Sequence, residues 1–125
     1  MENLKDKVIV ITGGATGIGF ALAKSFGADG AKIVIGEQRQ EQLKIATDAL
    51  AELDVEAVSM VMDVIDLDSV NAFADFSWKT FGRVDMLINN AGISGARGAI
   101  HKINVDAARH IFNVNFFGVW HGCAV

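Results

Sequence analysis

The 125 residues are 51% apolar before glycine is counted, enough to bury the core of one domain. The single cysteine, Cys123, excludes an internal disulfide and fits a reducing compartment. A net charge of −4, with 11 basic residues scattered along the chain, excludes the clustered positive surface that nucleic acid requires.

The polar opening Met1–Lys7 does not read as a signal peptide, and the most apolar late run, Phe116–Trp120, is too short to span a bilayer. A cytoplasmic protein with no membrane partner is expected. Lys7–Thr12 then reads as a strand: its β-branched run has no polar alternation, as in a parallel strand buried on both faces. A glycine-rich turn leads into a helix over Gly17–Ala28. Lys32–Ile35 is a strand. Gln40–Leu53 is a helix with Leu43, Ala46, Ala49, Leu50 and Leu53 on one face. Glu56–Met62 is a strand, and Leu67–Phe81 a helix that Asp66 caps, with Val70, Phe73, Ala74 and Phe81 inward. Val84–Asn89 is a strand, and a last helix begins near Val105. The alternation predicts an α/β fold with a parallel sheet. Gly92–Gly98 is the one extended loop, placed where ligands bind in such sheets, beyond the carboxyl end of a strand.

The chemistry starts at Thr12-Gly13-x-x-x-Gly17-x-Gly19. A turn that opens a helix aims free N–H groups and the positive end of the helix dipole at one point, which suits a phosphate. Glycine there lets backbone and phosphate approach closely. Thr12, Gly13, Thr16, Gly17, Ile18 and Gly19 are therefore candidate contacts to a nucleotide pyrophosphate; the plain alternative is an ordinary strand–helix turn.

Glu37 follows the second strand, about 20 residues beyond the turn, where an acidic side chain accepts from the ribose 2′-OH of NAD and repels a 2′-phosphate. Arg39 favours the opposite choice, NADP. Glu37 comes first and Gln38 is uncharged, so NAD is expected over NADP; the alternative for Glu37 is a solvated surface carboxylate. Asp63, ahead of Val64 at the end of the third strand, suits the exocyclic amine of an adenine, with a neighbouring backbone N–H completing the pair, or else simply a turn. Asn89-Asn90-Ala91-Gly92 closes the fourth strand. Its asparagines are placed to tie adjacent loops together, and Ala91 and Gly92 leave room for a ribose.

Taken together, these motifs resemble the short-chain dehydrogenase/reductase family along the whole chain. Thr12-Gly13-x-x-x-Gly17-Ile18-Gly19 looks like the family's cofactor signature, and Asp63-Val64 like its adenine-contacting pair. Asn89-Asn90-Ala91-Gly92 and Asn113-Val114-Asn115-Phe116-Phe117-Gly118 look like its N-N-A-G and N-V-N segments. The resemblance implies a Rossmann-type doubly wound parallel sheet, here cut after about four strands. It also implies hydride transfer between NAD(P) and the carbon of a small alcohol or ketone. The family's active site is an Asn, Ser, Tyr and Lys tetrad, in which the asparagine helps position a water. Asn115 matches that asparagine.

The other three residues have no match. The chain contains no tyrosine, and neither serine nor lysine follows Asn115. A phenol of pKa roughly 10 needs a tuning cation to work near neutral pH, so these 125 residues alone are not expected to turn over. They read as the cofactor-binding half of such an enzyme. The alternatives are a non-catalytic module that binds a dinucleotide or a protein partner, and a decayed product.

His101, His110 and His121 lack metal-ligand spacing, so no metal site is expected, and ordinary surface or packing roles are expected for all three. Cys123 has no feature of a nucleophile. Phe112, Phe116 and Trp120 form a helical stripe expected to pack in the core. In the resembling family this helix also contributes to a subunit interface, and the intact protein is expected to be a homo-oligomer. Without a fifth strand, Val84–Ile88 is expected to be an open apolar edge, with weak stability or self-association as the consequence.

Overall fold

A computed structural model describes residues 3–95 and 97–125. The first two residues of the polar opening, and Ala96 of the Gly92–Gly98 loop, lie outside the described residues. Four strands, β1 (Val8–Thr12), β2 (Lys32–Glu37), β3 (Ala57–Val61) and β4 (Met86–Asn89), form one parallel sheet in the order β3-β2-β1-β4. Between them run α1 (Gly17–Ala28), α2 (Gln40–Glu52) and α3 (Leu67–Phe81). After β4 come a short 3₁₀ turn (Ile100–Lys102), α4 (Val105–Phe112), a π-helical segment (Asn113–Phe117) and α5 (Gly118–Ala124).

Successive strand side chains point to opposite faces, and this divides the core in two. Ile9, Ile11, Ile33 and Ile35 face one way, against Ala23 of α1 and Leu43, Ala46 and Leu50 of α2. Val8, Val10 and Val34 face the other way, with Met62, Val64, and Val70 and Phe73 of α3. Helices thus cover both faces, as the β-branched runs predict, in the doubly wound, Rossmann-type arrangement that the family resemblance implies. Asp66 caps α3, its carboxylate accepting from Asp68 N at 3.0 Å, and the helix ends at Gly82 in the left-handed region.

Three expectations need correction. β2 runs on past Ile35 to Glu37, which still pairs with Val61, so Glu37 sits on the last rung of the sheet rather than in a loop. The last helix is not continuous: a π segment interrupts it at the asparagine-rich stretch Asn113–Phe117. The Phe112, Phe116 and Trp120 stripe is not in the core. These rings are 64%, 52% and 62% exposed, on the outer side of the helix, while Val114 packs inward against the α3 side of the sheet. Among the described residues β4 pairs with β1 alone, at one end of the order β3-β2-β1-β4.

Candidate functional site

At the carboxyl ends of the strands the βα loops enclose a cleft of about 510 Å³. Gly13, Thr16 and Ile18 line it from the first loop, Glu37 from β2, and Asp63 and Val64 from the loop after β3. Asn90, Ala91 and Gly92 line it from the segment after β4. Nine of the residues singled out in the sequence therefore meet in one cavity. Thr12, Gly17 and Gly19 shape it from behind.

The first loop is held by a side-chain clamp. Buried Thr12 accepts at Oγ1 from Asn90 N and Ala91 N, both at 3.1 Å. Asn90 Nδ2 donates in return to Thr12 O (3.1 Å) and Gly13 O (3.0 Å). A Cβ at residue 19 would strike Gly13 O and Asn90 Nδ2, and Gly13 itself has φ +64° with Ala91 behind it, so neither position admits a side chain. Thr16 precedes α1 without capping it, and the helix has no acidic residue in its first turn. Its first N–H groups and the positive end of its dipole are left for an anion.

Glu37 is mostly buried, its side chain only 10% exposed. Its Oε1 accepts from Gln38 N (3.0 Å), Arg39 N (3.3 Å) and Arg39 Nε (3.2 Å). Arg39 is thus paired to Glu37, and its guanidinium also lies 3.5 Å from Thr16 Oγ1 across the cleft mouth. Asp63 accepts from Ile65 N at Oδ1 (3.1 Å) and from Gln38 Nε2 at Oδ2 (3.1 Å).

Asn115 stands outside the cleft wall, beside a second, apolar hollow lined with Phe116, Val119, Trp120 and Cys123. Its amide closes on the main chain of Ile93: Ile93 N donates to Oδ1 and Nδ2 donates to Ile93 O, both at 2.8 Å. Ile93 lines the cleft, so this pair fixes the loop after β4. π-helical turns of this kind concentrate at functional sites. Asn89, expected to share the loop-tying task with Asn90, turns instead towards α5. Its Nδ2 approaches Cys123 Sγ at 3.5 Å, and its Oδ1 is buried with no partner among the described residues.

Sequence reasoning missed His110 and Val114, which line the cleft from α4 and the π segment. Their i, i+4 spacing was the available signal. It also left His121 without a partner, whereas its Nδ1 lies 2.7 Å from Val64 O. Among the described residues, no group of His, Cys, Asp and Glu is arranged to hold a metal, and no helix is long and apolar enough to cross a membrane. At the other end of the sheet a carboxyl is held in its charged form by its neighbours. Hydrogen bonding from Arg83, and secondarily from Val8 N, holds Asp85 below its ordinary value.

The family model for short chain dehydrogenases matches residues 7–125. The chain belongs to the short-chain dehydrogenase family. It is 39% identical over 120 residues to the uncharacterized oxidoreductase YxbG of Bacillus subtilis, a match covering 96% of this chain and 44% of that protein. It is 37% identical to a C alpha-dehydrogenase of Sphingobium sp., covering 98% of this chain and 40% of the relative. A short-chain dehydrogenase/reductase of Burkholderia phymatum, solved in complex with NAD, superposes with a TM-score of 0.95 at 34% identity, over 100% of this chain and 44% of that one. The chain thus spans less than half the length of these relatives. Neighbours of the same family solved with NAD or NADH support a nicotinamide dinucleotide as the cofactor class.

Proposed function

We propose that the cleft binds NAD in preference to NADP, and that residues 1–125 are the cofactor-binding part of a longer cytoplasmic oxidoreductase. That enzyme moves a hydride between nicotinamide and the carbon of a small alcohol or ketone. The observation that carries this reading is a single cleft bounded by the uncapped first turn of α1 and by the Glu37 carboxylate. The donor set suits the ligand: backbone N–H groups for a pyrophosphate, carboxylates for hydroxyl and amine groups.

In this reading the N–H groups from Gly13 to Gly19, with Thr16 and Ile18 beside them, take the pyrophosphate, and Thr12 holds their loop through Asn90. Glu37 has Oε1 occupied by its three local donors, which leaves Oε2 for the ribose 2′-OH. Arg39 has its Nε tied to that same carboxylate, whose negative charge offsets the attraction its guanidinium would offer a 2′-phosphate. Asp63, with Val64, accepts from the adenine amine, and Asn90, Ala91 and Gly92 leave room for the second ribose. Bound nicotinamide supplies the hydride acceptor or donor. Asn115 acts on the reaction through Ile93, by holding the loop after β4 in place. The serine, tyrosine and lysine of the family tetrad are not matched within these residues, so residues 1–125 alone bind without turnover.

A second reading, an interaction module, is favoured by the exposed aromatic face of α4 and α5. In that reading the face takes a protein partner without catalysis; in the first reading it pairs with a second copy of the enzyme.

Calorimetric titration with NAD and NADP tests the cofactor reading. NAD binds more tightly, and Glu37→Gln brings the two within about tenfold of each other by removing the charge that repels the phosphate. NADP binding more tightly than NAD to the unsubstituted chain overturns it.

A further inference from the structure

The loop from β3 to α3 runs Met62-Asp63-Val64-Ile65-Asp66, and its own bonds fix only part of it. Asp63 N donates to Ser69 Oγ at 3.0 Å, and Asp66 N donates to Asp63 O at 3.2 Å. The peptide unit joining Val64 to Ile65 is held differently. Its N–H donates to Asp63 Oδ1 at 3.1 Å, and its carbonyl faces His121 Nδ1 at 2.7 Å. A carbonyl only accepts, so the His121 ring carries its proton on Nδ1. The unit is planar, with N–H and C=O pointing in opposite directions. A bond at the carbonyl end therefore also sets the direction of the N–H that anchors the Asp63 carboxylate.

The helix can come this close because residue 118 is glycine. A Cβ there would lie 2.7 Å from Val64 Cγ2, inside van der Waals contact, and Val64 is buried. Gly118 and His121 lie three apart on one helix face, and both meet Val64. The missing side chain lets the helix approach, and the polar contact then ties the Val64 carbonyl to it. The bond spans 57 positions of sequence, so no local turn supplies it.

We propose that His121 is a positioning residue for the adenosine end of the dinucleotide: its bond to Val64 O orients the peptide whose N–H holds the Asp63 carboxylate towards the adenine amine. This rests on the reading of Asp63 as the amine's acceptor. Asp63 is the residue that touches the ligand, and His121 acts only through the loop.

The test compares NAD with nicotinamide hypoxanthine dinucleotide, in which an oxo group replaces the adenine amine, by calorimetric titration of the full chain. Both ligands share the pyrophosphate and the nicotinamide, so general loosening of the fold weakens both equally. The unsubstituted chain favours NAD by about five- to tenfold, the scale of one lost hydrogen bond. His121→Leu reduces that preference to near parity. His121→Asn, whose amide N–H lies close to the Nδ1 position, restores it. His121→Gln, with its N–H one bond further out, does not, and the Asn–Gln contrast stands even where the leucine variant folds poorly. In the ligand-free chain the Ile65 amide exchanges faster in the Leu and Gln variants than in the Asn variant. No preference in the unsubstituted chain removes the adenine reading and this role with it. A preference that survives in His121→Leu or His121→Gln, with Ile65 equally protected, removes the role of His121 and leaves the adenine reading standing.

Discussion

In β1 and β2 almost every side chain is buried, whereas β4 leaves Met86 and Leu87 42% and 37% exposed. Past β4, the helical stretch turns Phe112, Phe116 and Trp120 outward. The first region is held by apolar packing on both faces of the sheet. The second has its ladder to β1 and a few packed side chains, and adds side chains that bond to the main chain: Asn90 to Thr12 and Gly13, Asn115 to Ile93, His121 to Val64. The cleft lies across the join. Its first-loop and Glu37 walls stand on the packed region, and its wall after β4 depends on directional bonds.

Breaking each region in its own way tests this division. Ile11→Ala, at a fully buried position, removes packing from the first region and is expected to cost about 2–5 kcal/mol. Trp120→Ala, of similar or larger volume change but on the exposed face, is expected to stay within about 0.5 kcal/mol. Denaturant unfolding of the two variants measures the contrast, and equal losses would show that the outer face is not solvent-exposed in solution.

Asn90→Ala acts between the regions. It leaves Thr12 O and Gly13 O without the donor Nδ2, an expected loss of about 1–3 kcal/mol in stability. Because the first loop slackens, NAD affinity falls with it. Titration with NAD under conditions where the variant remains folded separates the two losses.

The smallest effect lies at the far end of the sheet, where Asp85 Oδ2 accepts from Val8 N at 2.9 Å and its carboxylate also bonds Arg83. A carboxyl whose folded-state pKa is lowered adds stability above its unfolded value, and loses it as the pH falls through the folded one. The advantage over Asp85→Asn is therefore full at neutral pH, begins to fall below about pH 4, and is gone only below the lowered folded-state value. Thermal midpoints across that range read it directly.

The strands and first three helices were legible because β-branched runs and three- and four-residue apolar spacing are local signals. So were the cleft residues at the strand ends, since a parallel sheet brings the carboxyl ends of its strands together; His110 and Val114, which come from α4 and the π segment, were not. What stayed hidden was relational. A helical stripe says that Phe112, Phe116 and Trp120 share a face, but not whether that face meets the core or the solvent. Glu37 and Arg39 are two residues apart, yet their spacing cannot tell a pair of opposed cofactor contacts from the ion pair the structure contains. The π segment leaves no mark in the order of side chains, and the meeting of His121 with Val64 follows only from the close approach that Gly118 permits.

The most direct test of the central claim is a titration of NAD into the isotopically labelled chain, followed amide by amide. The account predicts saturable shifts concentrated at Gly13–Gly19, Glu37, Asp63–Ile65 and Asn90–Gly92, with the Val8 and Asp85 end of the sheet unmoved. Absence of saturable shifts, or shifts centred on the aromatic face of α4 and α5, would contradict it.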